Sequence, residues 1–159
     1  MQFTVGALFT LAVAGAALAA PAEHVDAKRQ SGFCPEASRF GNFNLTPTQV
    51  KSGDTITGTL NLTCAQQYNI VPKYIDYYIE VPQNNNGYEP NILLAHHEPA
   101  AGAIIDSFTT QVPYAGYFNA SYDVAVQLTY AVDGSQEGTS YYVTGGVYAP
   151  ISITPTVTN

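Results

Sequence analysis

The chain has 159 residues, of which 46% are hydrophobic and only 11% charged, and five bases against twelve acids give a formal net charge of −7. Such a balance argues against nucleic acid and anionic membrane surfaces as partners. With twelve tyrosines, no tryptophan and two cysteines, the composition suits an extracellular protein with a neutral, polar surface and one domain's worth of core.

The chain opens on an apolar run, Phe3 to Leu18, that closes at Ala17-Leu18-Ala19. This is a signal peptidase pattern, so residues 1–19 are expected to be a signal peptide and the product to be secreted. The run is short for a membrane span, and no later stretch approaches eighteen apolar residues. Residues 20–29 are polar and end in Lys28-Arg29, directly before Gln30. They are expected to be a propeptide removed by a kexin-type protease. The remaining 30–159 keep Arg39, Lys51 and Lys73 as their only bases against ten acids.

Gln30 to Phe40 carries no periodicity and is expected to be irregular, held by Cys34. Two cysteines in a secreted context allow one intramolecular pair, so a Cys34–Cys64 disulfide is expected. Two thiolates alone cannot complete a zinc shell, and no metal site is expected. A strand begins at Gly41 to Leu45, and Thr46-Pro47-Thr48-Gln49-Val50 leads into turn chemistry at Lys51-Ser52-Gly53-Asp54. From Thr55 the residues alternate, with Ile56, Leu60, Leu62 and Cys64 on one face and Thr55, Thr57, Thr59, Asn61 and Thr63 on the other. That spacing predicts a half-buried strand running to the cysteine.

After a polar link through Gln66, Gln67 and Asn69, the stretch Tyr74 to Val81 alternates again. Ile75, Tyr77, Ile79 and Val81 face the core, and Tyr74, Asp76, Tyr78 and Glu80 face outward. Asn84-Asn85-Asn86-Gly87 makes a turn. Short strands follow at Asn91 to His97 and at Ile104 to Val112, the latter with Phe108 and Val112 inward. Tyr122 to Val132 is the longest alternation and is assigned a central position. Gly138 to Val143 and Val147 to Ile153 give a last strand or strand pair, with Gly145-Gly146 marking a bulge or a close backbone approach. Asn44, Asn61 and Asn119 each open a glycosylation sequon, the first of them followed by Pro47.

No segment has apolar residues at helical spacing over three turns. Strands at eight-to-twelve-residue intervals, broken by prolines, predict an all-β, immunoglobulin-like antiparallel β-sandwich of seven to eight strands. The runs GNFNLTPTQVKSGDTITGTLNLTC, KYIDYYIEVP, EPNILLAHH, DSFTTQVP and VTGGVYAPISI resemble a group of small secreted fungal proteins with a signal peptide and no established activity. A fainter resemblance, in an early Pro and Gly before the first long strand and a proline ending a middle strand, is to lipid-binding ML domains. It implies a carrier with its ligand between the sheets, although the additional cysteines of that family are absent.

The chemistry-bearing residues are few. His96-His97-Glu98 has metal-ligand types, but neighbours on a strand point to opposite faces, so only His96 with Glu98, and a third ligand such as Asp106, would share an ion. Asp76 and Glu80 share a face but stand about 13 Å apart along a strand, wider than either glycosidase geometry requires. They read as solvated acids, with Lys73 as a partner. Gly134-Ser135-Gln136-Glu137-Gly138 is one residue too long for a nucleophile elbow and reads as a hairpin loop. No catalytic residue and no cofactor is therefore expected, and a small hydrolase assembled from several strands is a rival reading. Tyrosine is the feature most suited to recognition. Tyr74 and Tyr78 on one outward face, with Tyr142 or Tyr141, Asp76 and Asn85 nearby, would present flat apolar rings and hydroxyls to a sugar. The expected role is non-enzymatic binding to an extracellular glycan or protein surface, centred on Tyr74, Asp76, Tyr78 and Tyr142.

Overall fold

In the computed structural model, residues 32–85 and 87–157 are described. The expected signal peptide, propeptide and Lys28-Arg29 processing site lie outside them. The described elements are a 3-10 helix (Glu36–Ser38) within the segment expected to be irregular, β1 (Asn42–Thr46), β2 (Gln49–Val50), β3 (Thr55–Asn61), a short helix α1 (Thr63–Gln67), β4 (Pro72–Glu80), β5 (Ile92–His97), β6 (Ile105–Gln111), β7 (Tyr122–Asp133) and β8 (Ser140–Ile153). The eight strands form two sheets, a three-stranded one in the order β1-β3-β6 and a five-stranded one in the order β2-β8-β7-β4-β5.

Alternation explains why these sheets face each other. Ile56 and Leu60 on β3, Phe108 on β6, Ile75, Tyr77 and Ile79 on β4, and Val124, Val126 and Leu128 on β7 are all buried in one core. Each such side chain withdrawn from water stabilises the fold by about 1.5 to 3 kcal/mol. Phe43, Tyr77 and Phe108 meet at the centre, with ring centroids 5.9 and 4.6 Å apart. Gly58 makes room for them, because a Cβ there would lie 2.8 Å from the Phe43 ring and closer still to Phe108.

All the pairings are antiparallel except one. β1 pairs with β3 in the small sheet; the chain then passes the cis Thr46–Pro47 bond and crosses to the large sheet, where β2 runs parallel to the end of β8. The turn at Gly53, with φ +88°, is closed by Asp54, whose carboxylate accepts the Lys51 N–H at 2.9 Å. β7 lies between β4 and β8, the central position that its long alternation predicts.

Two local expectations are corrected. The strand predicted to run to Cys64 stops at Asn61, and Cys64 lies in α1. The Asn61 Oδ1 accepts the Thr63 N–H at 2.9 Å and turns the chain from strand to helix. Leu62 and Cys64 remain buried, so their inward spacing survives while the backbone changes. The polar link after Cys64 is thus largely helical, and it ends at Asn69 in the left-handed region, φ +56°. Of the two alternatives at the end of the chain, a strand or a strand pair, β8 is one strand of fourteen residues, and its register with β7 passes through Gly145-Gly146 without a shift. The close approach does occur, since a Cβ on Gly145 would enter the Phe40 ring and one on Gly146 the Val126 carbonyl. Pro150 is tolerated in β8 because its nitrogen lies on the side of the strand away from β7, where β2 begins to pair only at Ser152.

The Cys34–Cys64 disulfide is present. It fastens the irregular N-terminal segment to α1, where the Cys34 N–H also donates to Gln67 and its carbonyl accepts the Tyr68 hydroxyl at 2.7 Å. A disulfide is consistent with an extracellular protein. No helix among the described residues is long and apolar enough to cross a membrane.

Candidate functional site

The outward face of the five-stranded sheet is built by register. Three rows of residues cross it. In one, Tyr148 on β8 stands opposite Ala125 on β7, which is opposite Tyr78 on β4 and then Leu93 on β5. In the next, Gly146, Gln127, Asp76 and His96 follow one another across the same four strands. In the third, Thr144 and Thr129 lead to Tyr74. Tyr142 sits one step further along β8, opposite Ala131.

Small residues beneath aromatic ones give this face its relief. Tyr148 is 71% exposed, Tyr142 57% and Leu93 53%, and between the tyrosines runs the low polar row floored by Gly146. Neighbouring rows are about 7 Å apart along a strand. The rings therefore flank a shallow polar trough.

The predicted residues Tyr74, Asp76 and Tyr142 are tied together by two that pattern alone did not join to them. Asp76 Oδ1 lies 2.6 Å from His96 Nδ1, and the His96 ring packs on Tyr74 with centroids 5.4 Å apart. Lys73 pairs with no acid among the described residues. Its ammonium lies over both the Tyr74 and Tyr142 rings, at 5.1 and 4.9 Å, and donates to the Tyr142 hydroxyl at 3.3 Å. The Tyr142 hydroxyl, and after it Tyr74, raises the Lys73 pKa above its ordinary value. Tyr78 belongs to the same face one row beyond Asp76, and burial, then the Asp76 carboxylate, raises its phenol pKa.

Glu80 lies on the same face one row beyond Tyr78 and accepts from Asn91 at 3.2 Å, while other predicted residues are placed elsewhere. Asn85 is not on this face; it makes reciprocal hydrogen bonds with the Glu89 backbone in the loop after β4. Tyr141 is exposed but alternates to the opposite side of β8 from Tyr142. Asp106 does not join His96, because it faces inward from β6. There it accepts the Tyr77 hydroxyl at 2.6 Å and lies 2.8 Å from His97 Nδ1, a polar link between the sheets. No group of three metal-ligating side chains occurs among the described residues.

Tyr148 escaped the sequence reading because it follows Gly145-Gly146, where a bulge would have reversed its direction. The unbroken register is what turns it outward. The pairing of His96 with Asp76 is not marked by spacing along either strand, since a cross-strand neighbour is invisible without the register.

The sequons fall on other surfaces. Asn44 and Asn61 lie on the outward face of the three-stranded sheet, Asn44 opposite Thr59 and Asn61 opposite Asn42. Asn119 lies in the loop before β7, beside a cleft of about 530 Å³ that is also lined by Tyr88, Glu89 and Phe118.

The fold and this face together define a two-sheet β-sandwich with an aromatic, polar sheet surface. No family model matches the chain, and no curated protein matches it. Among solved structures it is similar to the superoxide reductase (neelaredoxin) of Ignicoccus hospitalis, at 12% identity and a TM-score of 0.39, covering 71% of this chain and 80% of that one. The E23A form of that protein is similar at 11% identity and the same TM-score of 0.39, covering 74% of this chain and 83% of that one.

Proposed function

We propose that this chain is a secreted, non-enzymatic glycan-binding module that recognises an extracellular polysaccharide through the outward face of its five-stranded sheet. The observation that carries this reading is the arrangement of Tyr74, Tyr78, Tyr142 and Tyr148 on one face around the row Gly146, Gln127, Asp76 and His96. Tyrosine rings offer apolar faces to the C–H side of a sugar, and the polar row offers donors and acceptors to its hydroxyls. Pre-set partners make the face ready to bind. His96 holds Asp76, and Lys73 holds Tyr74 and Tyr142, so little side-chain freedom is lost when a ligand arrives.

The space between the sheets is filled by buried side chains, which supports a binding face over a lipid carrier. Asp76 is engaged with His96 and Glu80 with Asn91, which supports binding over hydrolysis. Secretion after removal of residues 1–19, cleavage after Arg29 and kinship with small secreted fungal proteins belong to the same proposal.

The test is retention of the mature protein on insoluble fungal and plant cell-wall polysaccharides. Truncating Tyr78 and Tyr148 to Ala is expected to lower affinity about tenfold for each ring lost from a stack worth about 1.4 kcal/mol. Retention on no polysaccharide, or retention indifferent to all four tyrosines, overturns the proposal. A mature N-terminus upstream of Gln30 would overturn the cleavage.

A further inference from the structure

The cleft beside Asn119 has a floor, walls and, in the sequon at its edge, a point at which a sugar chain can be attached. Glu89 forms part of its lining, and the Glu89 carboxylate is held by the Tyr122 hydroxyl, which lies 3.0 and 3.1 Å from its two oxygens. The Glu89 backbone is fixed in turn by Asn85, whose Oδ1 accepts the Glu89 N–H at 2.7 Å and whose Nδ2 donates to the Glu89 carbonyl at 2.6 Å. On the wall side, the Phe118 N–H donates to Tyr122 at 2.9 Å and fixes the loop that carries Asn119. Two aromatic rings also line the cleft, Tyr88 at 87% exposure and Phe118 at 41%. A ring as exposed as Tyr88 contributes almost nothing to the core. Its apolar face is open to whatever enters the cleft.

Asn119 and Ser121, the outer members of the sequon Asn119-Ala120-Ser121, are both exposed and both line this cleft. A sugar attached to the Asn119 carboxamide would begin its chain at the cleft wall. The volume of about 530 Å³ lies within the range of small-ligand sites.

We propose that Asn119 carries an N-linked glycan whose first sugars lie in this cleft, stacked on Tyr88 and Phe118 and hydrogen-bonded to the Glu89 carboxylate. The carboxylate has lone pairs to spare beyond those taken by Tyr122, and sugar hydroxyls and acetamido N–H groups are donors that fit them. The molecule thereby fills its own cleft with a modification, and the cleft is not a site for a free ligand. The inference shares with the proposed function only the need to enter a secretory pathway. It is independent of the sheet face.

The experiment uses the full chain secreted from a yeast host, digested with an endoglycosidase in the native and the denatured state and followed at Asn119 by glycopeptide mass spectrometry. Seating is expected to slow release from the folded protein about tenfold, which corresponds to about 1.4 kcal/mol. Tyr88→Ala, a change at an exposed ring that leaves the core intact, is expected to restore most of the denatured-state rate. Phe118→Ala provides a second ring to remove if one truncation is insufficient. An unoccupied Asn119 overturns the proposal. So does release at equal rates from folded and denatured protein, and so does protection that neither truncation reduces.

Discussion

Gly58 stands mid-strand in β3 with Phe43 and Phe108 closing over its Cα. Its φ is not in the left-handed region, so the requirement is for space alone. Gly58→Ala is expected to overpack this contact and to cost about 1 to 3 kcal/mol, read from the urea midpoint at unchanged slope. Tyr122 gives a prediction of a different kind. Burial first, and the Glu89 carboxylate with it, push its phenol pKa up to about 12 from the ordinary 10.0, against the lowering effect of the Phe118 N–H. The folded state therefore holds this proton more tightly than the unfolded chain does. That contribution to stability is complete below pH 10 and is lost as pH rises through about 12. Tyr122→Phe is expected to cost about 1 kcal/mol at pH 7 and to flatten this alkaline loss, as unfolding curves at neutral and alkaline pH would reveal. Residue identities carried part of this information. The outward Tyr74, Asp76 and Tyr78 follow from alternation alone, whereas the reach of Tyr122 to Glu89, 33 positions away, depends on how β7 meets the loop before β5.

α1 explains why a pattern can be right about burial and wrong about backbone. Leu62 and Cys64 continue the inward spacing of β3, and nothing in an alternating run marks where a strand gives way to a helix that buries the same residues. The marker is Asn61, whose Oδ1 takes the Thr63 N–H in an Asx turn just ahead of the helix, and a hydrogen bond of this kind is worth about 0.5 to 1.5 kcal/mol. The same residue opens a sequon, and the two roles are compatible because a glycan would be attached through Nδ2 while Oδ1 remains an acceptor. Substitution separates them. Asn61→Ala is expected to lose both the Asx hydrogen bond and the sequon, whereas Thr63→Ala loses the sequon and keeps the hydrogen bond. Their difference in unfolding free energy on unglycosylated material should therefore fall in the range just given. The disulfide acts on the same element. It closes a separation of 30 residues, and Cys34→Ser with Cys64→Ser is expected to cost roughly 3 to 4 kcal/mol by the loop-entropy account. The segment from Phe33 to Phe40, packed on Tyr68 through Phe33, should become the first region open to proteolysis.

At the scale of the molecule, the two outward sheet faces differ in chemistry. The three-stranded sheet presents Asn44, Thr46, Thr57, Thr59, Asn61 and Thr109, with the Thr57 and Thr109 hydroxyls 2.9 Å apart across strands. The five-stranded sheet presents the tyrosines, Lys73 and the Asp76–His96 pair. Short polar side chains give a face that hydrates well and offers a ligand no ring to stack on. The sandwich and its central strand were legible because period-two spacing is local, while the assignment of strands to sheets depends on the crossing at Pro47 and on cross-strand register, which no local pattern encodes. This division of faces makes a prediction that neither face makes alone. Removing the sequons on the small sheet by Asn44→Gln and Thr63→Ala is expected to lower the solubility of the secreted protein, seen as earlier aggregation in light scattering. Polysaccharide retention should stay unchanged, because those sequons lie on the sheet opposite the tyrosines. Tyr78→Ala with Tyr148→Ala should do the reverse, abolishing retention while leaving solubility unchanged or improved, since the exposed Tyr148 ring is lost with the half-buried Tyr78. If loss of the small-sheet glycans also abolished retention, the binding surface would have to include the threonine face, and the division of labour between the two sheets would fail.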